Sequence, residues 1–485
     1  MDELLKQLKI FDKIDAHTVI VFILLSGLVL ISLFVANIWP VFLCILLISS
    51  YFIWQTPQAG FLALLLTTMI FGEHFSLLPL QINEVIYKIY LLDFVLIVSF
   101  LFWLLQQKVE KINFKKFFAN KINLSLIIFW FFIFINLIIS LFFKGANASL
   151  AIGTFKNYSY LFVYFVVVLM FNNKESILKI LKVFLYGGLI ILFFIFYGWI
   201  TGRGLWSEIT PGLRYLSGLH TYYLSFSLII LLVVFAYKKY VFNFFSDLLI
   251  FVLQFLGLVG GMFRHLWLAV VVSFLFIFRY LKLVGKSKII KIAGIIIFAG
   301  LFLILITLWF NGILGKDINF TQNIFFKSVV GRSLTLFETG NSIESAAGWR
   351  LATWQVALDK FLSSPILGIG LGQRFYFEYL GFIDIVDIRN IHNDFASLLV
   401  QLGLLGFLPF ILFNFYIFKN LIFLIKSKDN FEHEIALIVS GFYIIALFGI
   451  FFGIYLMFNG TSIFFWAITA MVTILTNNEK LKVKN

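Results

Sequence analysis

Three arginines and one histidine carry most of the chemistry this sequence offers. Arg264 stands in Gly261-Met262-Phe263-Arg264-His265-Leu266-Trp267, at the edge of an apolar run. Arg214 lies in the more polar segment Gly202–Gly218, with Arg203 and Glu208. Arg350 opens a stretch of helical spacing, and His392 sits in Ile391-His392-Asn393-Asp394-Phe395, just ahead of another apolar run. A guanidinium is always charged and presents a planar fork to phosphate oxygens. Inside an apolar span it costs ~3 kcal/mol or more unless it snorkels or is paired. Arg203 reads as a snorkelling interface residue, whereas Arg214, Arg264 and Arg350 together read as an anion site. Asn393 or Asp394 is a natural helix N-cap. His392 would then stand at the positive end of a helix dipole, whose field favours the neutral imidazole that can accept a proton. The plain alternative is a solvated histidine beside the cap.

These side chains must be positioned by membrane helices. Of 485 residues, 62% are hydrophobic and 12% charged, and the mean hydropathy is +1.03. A soluble domain carries about 25% charged residues. Disorder, collagen, coiled coil and a secreted disulfide scaffold are excluded, the last by the single cysteine, Cys44. The net charge of +14 would suggest nucleic acid in a soluble protein. Here the basic residues fall in short loops between apolar runs, so they speak for membrane orientation and not for a nucleic-acid partner.

The fold class expected is all-α, a polytopic integral membrane helix bundle of about 12–14 transmembrane helices with one large helical extracytoplasmic loop. The candidate spans are His17–Asn37, Ile38–Trp54, Ala59–Gly72, Val85–Leu105, Ile122–Phe143, Tyr158–Phe171, Ile177–Ile200, Leu219–Tyr237, Phe242–Val259, Met262–Leu283, Ile289–Phe310, Asp394–Phe418, Ile435–Leu456 and Met457–Thr476. Lysine-rich loops follow the even-numbered spans, which puts both termini in the cytoplasm. The N-terminal mixture of Lys6, Lys9 and Lys13 with Asp2, Glu3, Asp12 and Asp15 is not that of a cleaved signal peptide. Three segments follow: a transmembrane bundle over 1–310, an outward loop over 311–393, and helices with a basic cytoplasmic tail over 394–485.

The loop Asn311–Asn393 is the one long outward segment, and long ordered loops of this kind are usually functional. Ser345 can cap a helix from Ala346, with Leu351, Trp354, Leu358 and Phe361 on one face, ending at Ser363-Ser364-Pro365. That helix would lie on the bilayer surface or on the bundle. Gly368-Ile369-Gly370-Leu371-Gly372 has two readings: amides that approach a phosphate, or a flexible hinge. The second is favoured, because the phosphate-loop Lys-Ser/Thr and a preceding strand are missing. Asp93, mid-span, is either functional or a structural hydrogen-bonding group, while His220 and Asp247 read as structural. Lys156 stands outside, just before the sixth span. Paired-acidic metal motifs, HExxH, GxSxG and a Walker lysine are missing, so nothing calls for a metal, nucleotide or other cofactor. Glycosyl transfer from a lipid pyrophosphate fits: the leaving group is already activated, and the enzyme needs guanidinium groups and one base.

Gly348-Trp349-Arg350-Leu351-Ala352-Thr353-Trp354, Ser364-Pro365-Ile366-Leu367-Gly368-Ile369-Gly370-Leu371-Gly372, His392-Asn393 and Gly403-Leu404-Leu405-Gly406 together resemble the domain shared by the O-antigen ligase and O-antigen polymerase superfamily. Phe263-Arg264-His265-Leu266-Trp267 is similar to its Ser-Arg-x-x-Trp element, with Phe263 departing at the Ser position. The resemblance implies a metal-independent inverting glycosyltransferase of the bacterial plasma membrane. Its donor would be an undecaprenyl-pyrophosphate-linked glycan, and its acceptor lipid A–core in ligases or a lipid-linked repeat unit in polymerases. Carried over by position, His392 would activate the acceptor hydroxyl and Arg264 and Arg214 would grip the pyrophosphate. Arg350 would contact donor or glycan, and Asn393 joins the substrate-facing residues.

Two other readings compete. A flippase for the same lipid-linked oligosaccharide would show repeat symmetry between halves and short loops on both sides; no convincing repeat is visible and the long loop is one-sided. A peptidoglycan polymerase of the shape, elongation and division type would place a catalytic Asp in the loop, where Asp384 and Asp387 stand.

Overall fold

The computed structural model describes residues 15–34, 39–82, 85–106, 117–118, 120–201, 205, 216–237, 240–291, 293–294 and 346–482. Outside the described residues lie Arg203, Glu208, Arg214, Ser345, nearly all of Ile289–Phe310, the first part of the outward loop, the residues before Asp15, and the loop lysines Lys108, Lys111, Lys115, Lys116, Lys238 and Lys239.

The protein is built from helices. In chain order they are α1 (Ala16–Phe34), α2 (Trp39–Gln55), α3 (Pro57–Phe71), α4 (Glu73–Ser76), α5 (Leu91–Gln106), α6 (Lys121–Phe142), α7 (Ala148–Ser159), α8 (Phe162–Met170), α9 (Lys174–Thr201), α10 (Gly218–Ala236), α11 (Phe244–Gly260), α12 (Arg264–Tyr280), α13 (Ala346–Ser363), α14 (Asp394–Ile425), α15 (Asn430–Phe452) and α16 (Asn459–Lys482). Among the described residues, eight helical segments are long and apolar enough to cross a membrane, and four apolar helices are shorter. This is an all-α polytopic membrane protein. The exceptions are two antiparallel hairpins, β1 (Pro79–Ile82) with β2 (Val85–Tyr90), and β3 (Arg374–Tyr379) with β4 (Phe382–Asp387).

Among the described residues, two expected spans change most. The fourth begins at Leu91, because Val85–Tyr90 pairs as a strand. Val-Ile-Tyr at its start is apolar enough to pass for helix, but it is β-branched and aromatic and suits a strand. The sixth extends back to Ala148 through α7 and α8, with Asn147 capping α7 by accepting from Leu150 N at 3.2 Å. Polar residues hid it, and several of them find partners within the protein, as lipid requires. Thr154 Oγ1 donates to Leu150 O at 2.7 Å, the Tyr158 hydroxyl accepts from Gln401 Nε2 at 3.1 Å, and Lys156 pairs with Asp93.

The Asp93 pairing gives that carboxylate the partner its own sequence neighbours do not supply. The Tyr160 hydroxyl and Lys156 Nζ both donate to Asp93, Tyr90 N donates at 2.9 Å, and the Lys156 ammonium lies 4.1 Å from the centre of the Tyr90 ring. The group ties α5 to α7 and the β2 strand end, the structural hydrogen bonding that was one of the two readings of Asp93. Asp247 accepts from Val241 N and Phe242 N at 2.5 and 3.1 Å and closes the turn before α11.

The chain divides into two compact units. One comprises Met1–Asp12, Phe184–Thr339 and Ser440–Phe442, and the other Lys13–Val183, Gly340–Val439 and Tyr443–Asn485. In the first, α10, α11 and α12 pack together at glycines. A Cβ on Gly257 would come 3.0 Å from Leu224 of α10, and one on Gly261 2.1 Å from Thr221 of α10. In the second, α6 packs along α14, α8 along α16, and α13 along both α14 and β3.

Candidate functional site

The site grows from the start of α14. Asn393, with extended φ of −158°, is the N-cap, and its side-chain oxygen accepts from Ala396 N at 3.0 Å. That commits the Asn393 oxygen to the helix and leaves its amide nitrogen for any role toward a substrate. Asp394 is fully buried, and its Oδ2 accepts from Leu456 N at 2.6 Å. His392, just ahead of the cap, sits in the left-handed region at φ 54°. A non-glycine residue there costs roughly 1–2 kcal/mol, so the surroundings must hold it.

Those surroundings are a small core. Ala357 of α13, Phe375 and Phe377 of β3, Val386 of β4, and Ile388, Ile391 and Val400 pack into one buried cluster. Trp354 Nε1 donates to Ile391 O at 2.8 Å, fixing the carbonyl just before His392. The Trp349 ring lies edge-on to the His392 ring at 6.0 Å, while its Nε1 donates to Asp384 at 2.9 Å. Arg350, on the first turn of α13, is close enough for its charge to act on His392. Burial lowers the His392 pKa from 6.5, and the Arg350 guanidinium lowers it further. Both effects favour the neutral imidazole around pH 7, the form the cap position also suggested. Arg350 also acts on Tyr455, in the turn between α15 and α16: burial raises the phenol and the guanidinium opposes that rise.

The helix Ala346–Ser363 stands where its spacing predicts. Its packed face differs: Trp354, Ala357 and Phe361 meet the core, whereas Leu351 and Leu358 are exposed at 59% and 54%. The hairpin that follows was not foreseen. Its signal is a run of alternating burial, with Phe375 and Phe377 inward and Tyr376 outward, and a Leu380-Gly381 turn in which both residues have positive φ.

Neither reading of the Gly368–Gly372 segment survives in full. Gly368 N donates to Ser364 O at 2.9 Å, Ile369 N to Val400 O at 2.9 Å, Gly370 N to Gln401 O at 3.1 Å, and Leu371 N to Ser140 Oγ at 2.5 Å. These amides are engaged within the protein, so they form neither a phosphate cradle nor a loose hinge. The segment clasps a break in α14 at Gly403, where φ is 63°. The amides that the break releases, Leu404 N and Leu405 N, donate to Pro365 O and Ile366 O at 2.9 and 3.2 Å.

The loop acids also have structural work. Arg389 forms a two-pronged pair with Asp387, and Asp384 accepts from Trp349. Among the described residues no three His, Cys, Asp or Glu side chains gather as a metal-ligand set.

Arg264 heads α12, in the other unit. Trp267 Nε1 donates to Leu258 O at 2.9 Å and locks the tight turn from α11, in which Met262 has φ 58°. A Cβ on Gly218 would stand 2.8 Å from the Phe263 ring, so the Arg264 end of α12 meets the start of α10. Phe263, the departure from the expected Ser, fills that contact. His392, Arg350 and Asn393 are thus gathered in one unit, Arg264 is placed by another, and Arg214 lies outside the described residues.

Residues 249–411 match the sequence model of the O-antigen ligase family. That stretch of the chain is similar to an O-antigen ligase domain. A comparison with curated proteins returned no match. The matched region runs from α11 to the middle of α14, about a third of the chain, and the O-antigen ligase domain thereby contains Arg264, Arg350, His392, Asn393 and the Gly403 break. Tyr455 and Asp93 lie outside this domain.

Proposed function

We propose that the protein is a glycosyltransferase that moves a glycan from undecaprenyl pyrophosphate to an acceptor hydroxyl on the outer face of the plasma membrane, with both termini cytoplasmic. The acceptor is lipid A–core or another lipid-linked repeat unit. His392 takes the proton of the acceptor hydroxyl. The oxygen then attacks the anomeric carbon, the bond from that carbon to the phosphate oxygen breaks, and its electron pair leaves with the pyrophosphate. Attack opposite the leaving group inverts the anomeric centre. Arg264 and Arg214 hold the charge that develops on the pyrophosphate, and the reaction needs no metal. Arg350 and the Asn393 amide nitrogen face donor or glycan.

The observation that carries this reading is the His392 turn: an imidazole kept neutral by burial and by Arg350, within the O-antigen ligase domain. A neutral imidazole fixed by its neighbours is suited to general base catalysis. The experiment is to supply purified protein in lipid with a lipid-linked glycan and separate acceptors, in excess chelator. A ladder of lengths identifies a polymerase, and a single transfer to lipid A–core a ligase. Movement of the lipid-linked glycan between leaflets with no new glycosidic bond would replace the reading by a flippase.

A further inference from the structure

The helix α6 runs for 22 residues, ~33 Å, enough by itself to cross the ~30 Å apolar core of a bilayer. Phe129 lies well inside that helix, and its ring meets the Phe410 ring of α14 at 5.3 Å. The Phe395 ring in turn meets Phe410 at 5.7 Å and Phe407 at 6.4 Å. In a straight helix Phe395 and Phe410 would be ~22 Å apart along the axis. The break at Gly403 therefore folds the first limb of α14 back along the second. Phe395, three residues after His392, is level with the spanning length of α6 and not beyond its end.

The helix α13 is packed on this limb. Ala357 and Phe361 join the core around Val400, and the Trp354 ring meets Phe451 at 6.5 Å, the same Phe451 that meets Phe395 at 6.3 Å. A separate row on α13 touches no such core. Leu351, Leu358 and Leu362 share one face at helical spacing, and Leu362 is 63% exposed, more than the other two. Gln355 and Asp359, also exposed, lie on one flank of the row. The row continues through Ile366, which is exposed at 60% and whose carbonyl accepts from Leu405 N at 3.2 Å. Leu404 and Leu405 are exposed in their turn, at the head of the second limb of α14, whose length to Ile425 is ~33 Å and crosses a bilayer unaided. The apolar surface is thus unbroken from the lipid-facing side of a span onto α13. An apolar row with a polar flank is what a helix at the bilayer boundary carries.

We propose that the row Leu351, Leu358, Leu362 and Ile366 is seated in the acyl region of the bilayer leaflet on the loop's side, so that the His392 turn opens at the membrane boundary and not in a domain raised above it. The seat goes beyond the glycosyl-transfer reading and does not depend on it.

The test measures depth in the full-length protein. Cys44 is the single cysteine, so Cys44→Ser provides a background for Leu358→Cys, Leu362→Cys or Lys360→Cys, each carrying a small thiol-linked fluorophore. Lys360 is exposed on the far side of α13 from the row and serves as the reference. The variants go into vesicles of phosphatidylcholine and phosphatidylglycerol, with melting temperature checked for each. Lipids brominated on their acyl chains should quench the labels at positions 358 and 362 severalfold more than the label at 360, and aqueous iodide should show the reverse order. Iodide quenching at 358 and 362 equal to that at 360 would mean the row faces water and would overturn the proposal. Protection from both quenchers would overturn it too, since protein, from this chain or a second copy, would then cover the row. Neither result would alter the activity expected of His392.

Discussion

His392 acts in the proposed reaction as an uncharged base, so activity should follow the pH at which its imidazole takes up a proton. Burial and the Arg350 charge both lower that pKa from 6.5. The acid limb of kcat/KM should therefore lie below pH 6.5. Removing the guanidinium removes one of the two lowering causes. Arg350→Ala should move the acid limb upward, and a limb that stays put or moves down would separate Arg350 from His392. The same shift is felt in stability. Unfolded, the imidazole binds its proton more readily than folded, so its contribution is full above pH 6.5 and is lost as pH falls through the lowered folded value. At Arg264, replacement by Lys should cut activity strongly, because an ammonium cannot offer two parallel hydrogen bonds to a phosphate; activity close to wild type would take that residue off the pyrophosphate. His392, Asn393 and Arg350 were legible in the sequence because a cap signal and a helical register fix their places relative to their own helices. The left-handed φ of His392 and the influence of Arg350 were not legible, since both depend on a tertiary core that joins α13, the hairpin and α14.

At the scale of elements, the unexpected feature is the interrupted helix α14. A chain in lipid cannot leave backbone groups unpartnered, and here Pro365–Gly370 supplies partners to both sides of the Gly403 break. Glycine is required where the two backbones touch. A Cβ on Gly403 would lie 2.3 Å from Ile366 O, and one on Gly368 2.3 Å from Gln401 O, both at positive φ. Gly403→Ala or Gly368→Ala should destabilise the protein by on the order of 3 kcal/mol. Thermal unfolding in detergent would measure this, and a melting temperature equal to wild type would contradict the clasp. The glycine spacing in the sequence left a phosphate-binding turn or a flexible hinge open, because it does not say what the glycines meet. The hairpin was missed because its apolar residues sit on both faces. Phe375, Phe377 and Val386 are buried while Phe382, Ile383 and Ile385 stay exposed, which blurs the alternation that marks a strand.

At the scale of the whole molecule, length and hydropathy told most of the story. The described spans stand close to their expected places because an apolar stretch long enough for a bilayer is hard to mistake. What hydropathy could not see is polar pairing inside the helices. Lys156 lowered the apparent hydrophobicity of the span that contains it, yet it meets Asp93 there. Asp93→Ala should cost toward the low end of roughly 3–5 kcal/mol, because Lys156 keeps some exposure, and Asp93→Ala with Lys156→Met should recover most of that loss. A double variant no more stable than Asp93→Ala would show that the pair does not act as a unit.

The central claim is that one neutral imidazole in the O-antigen ligase domain removes the acceptor proton. Its most direct test compares His392→Ala with wild type on a lipid-linked glycan and its acceptor, with helix content checked by circular dichroism. The account predicts a folded protein whose transfer rate falls by roughly 10²–10⁴-fold or more. Transfer at the wild-type rate by that variant would contradict it.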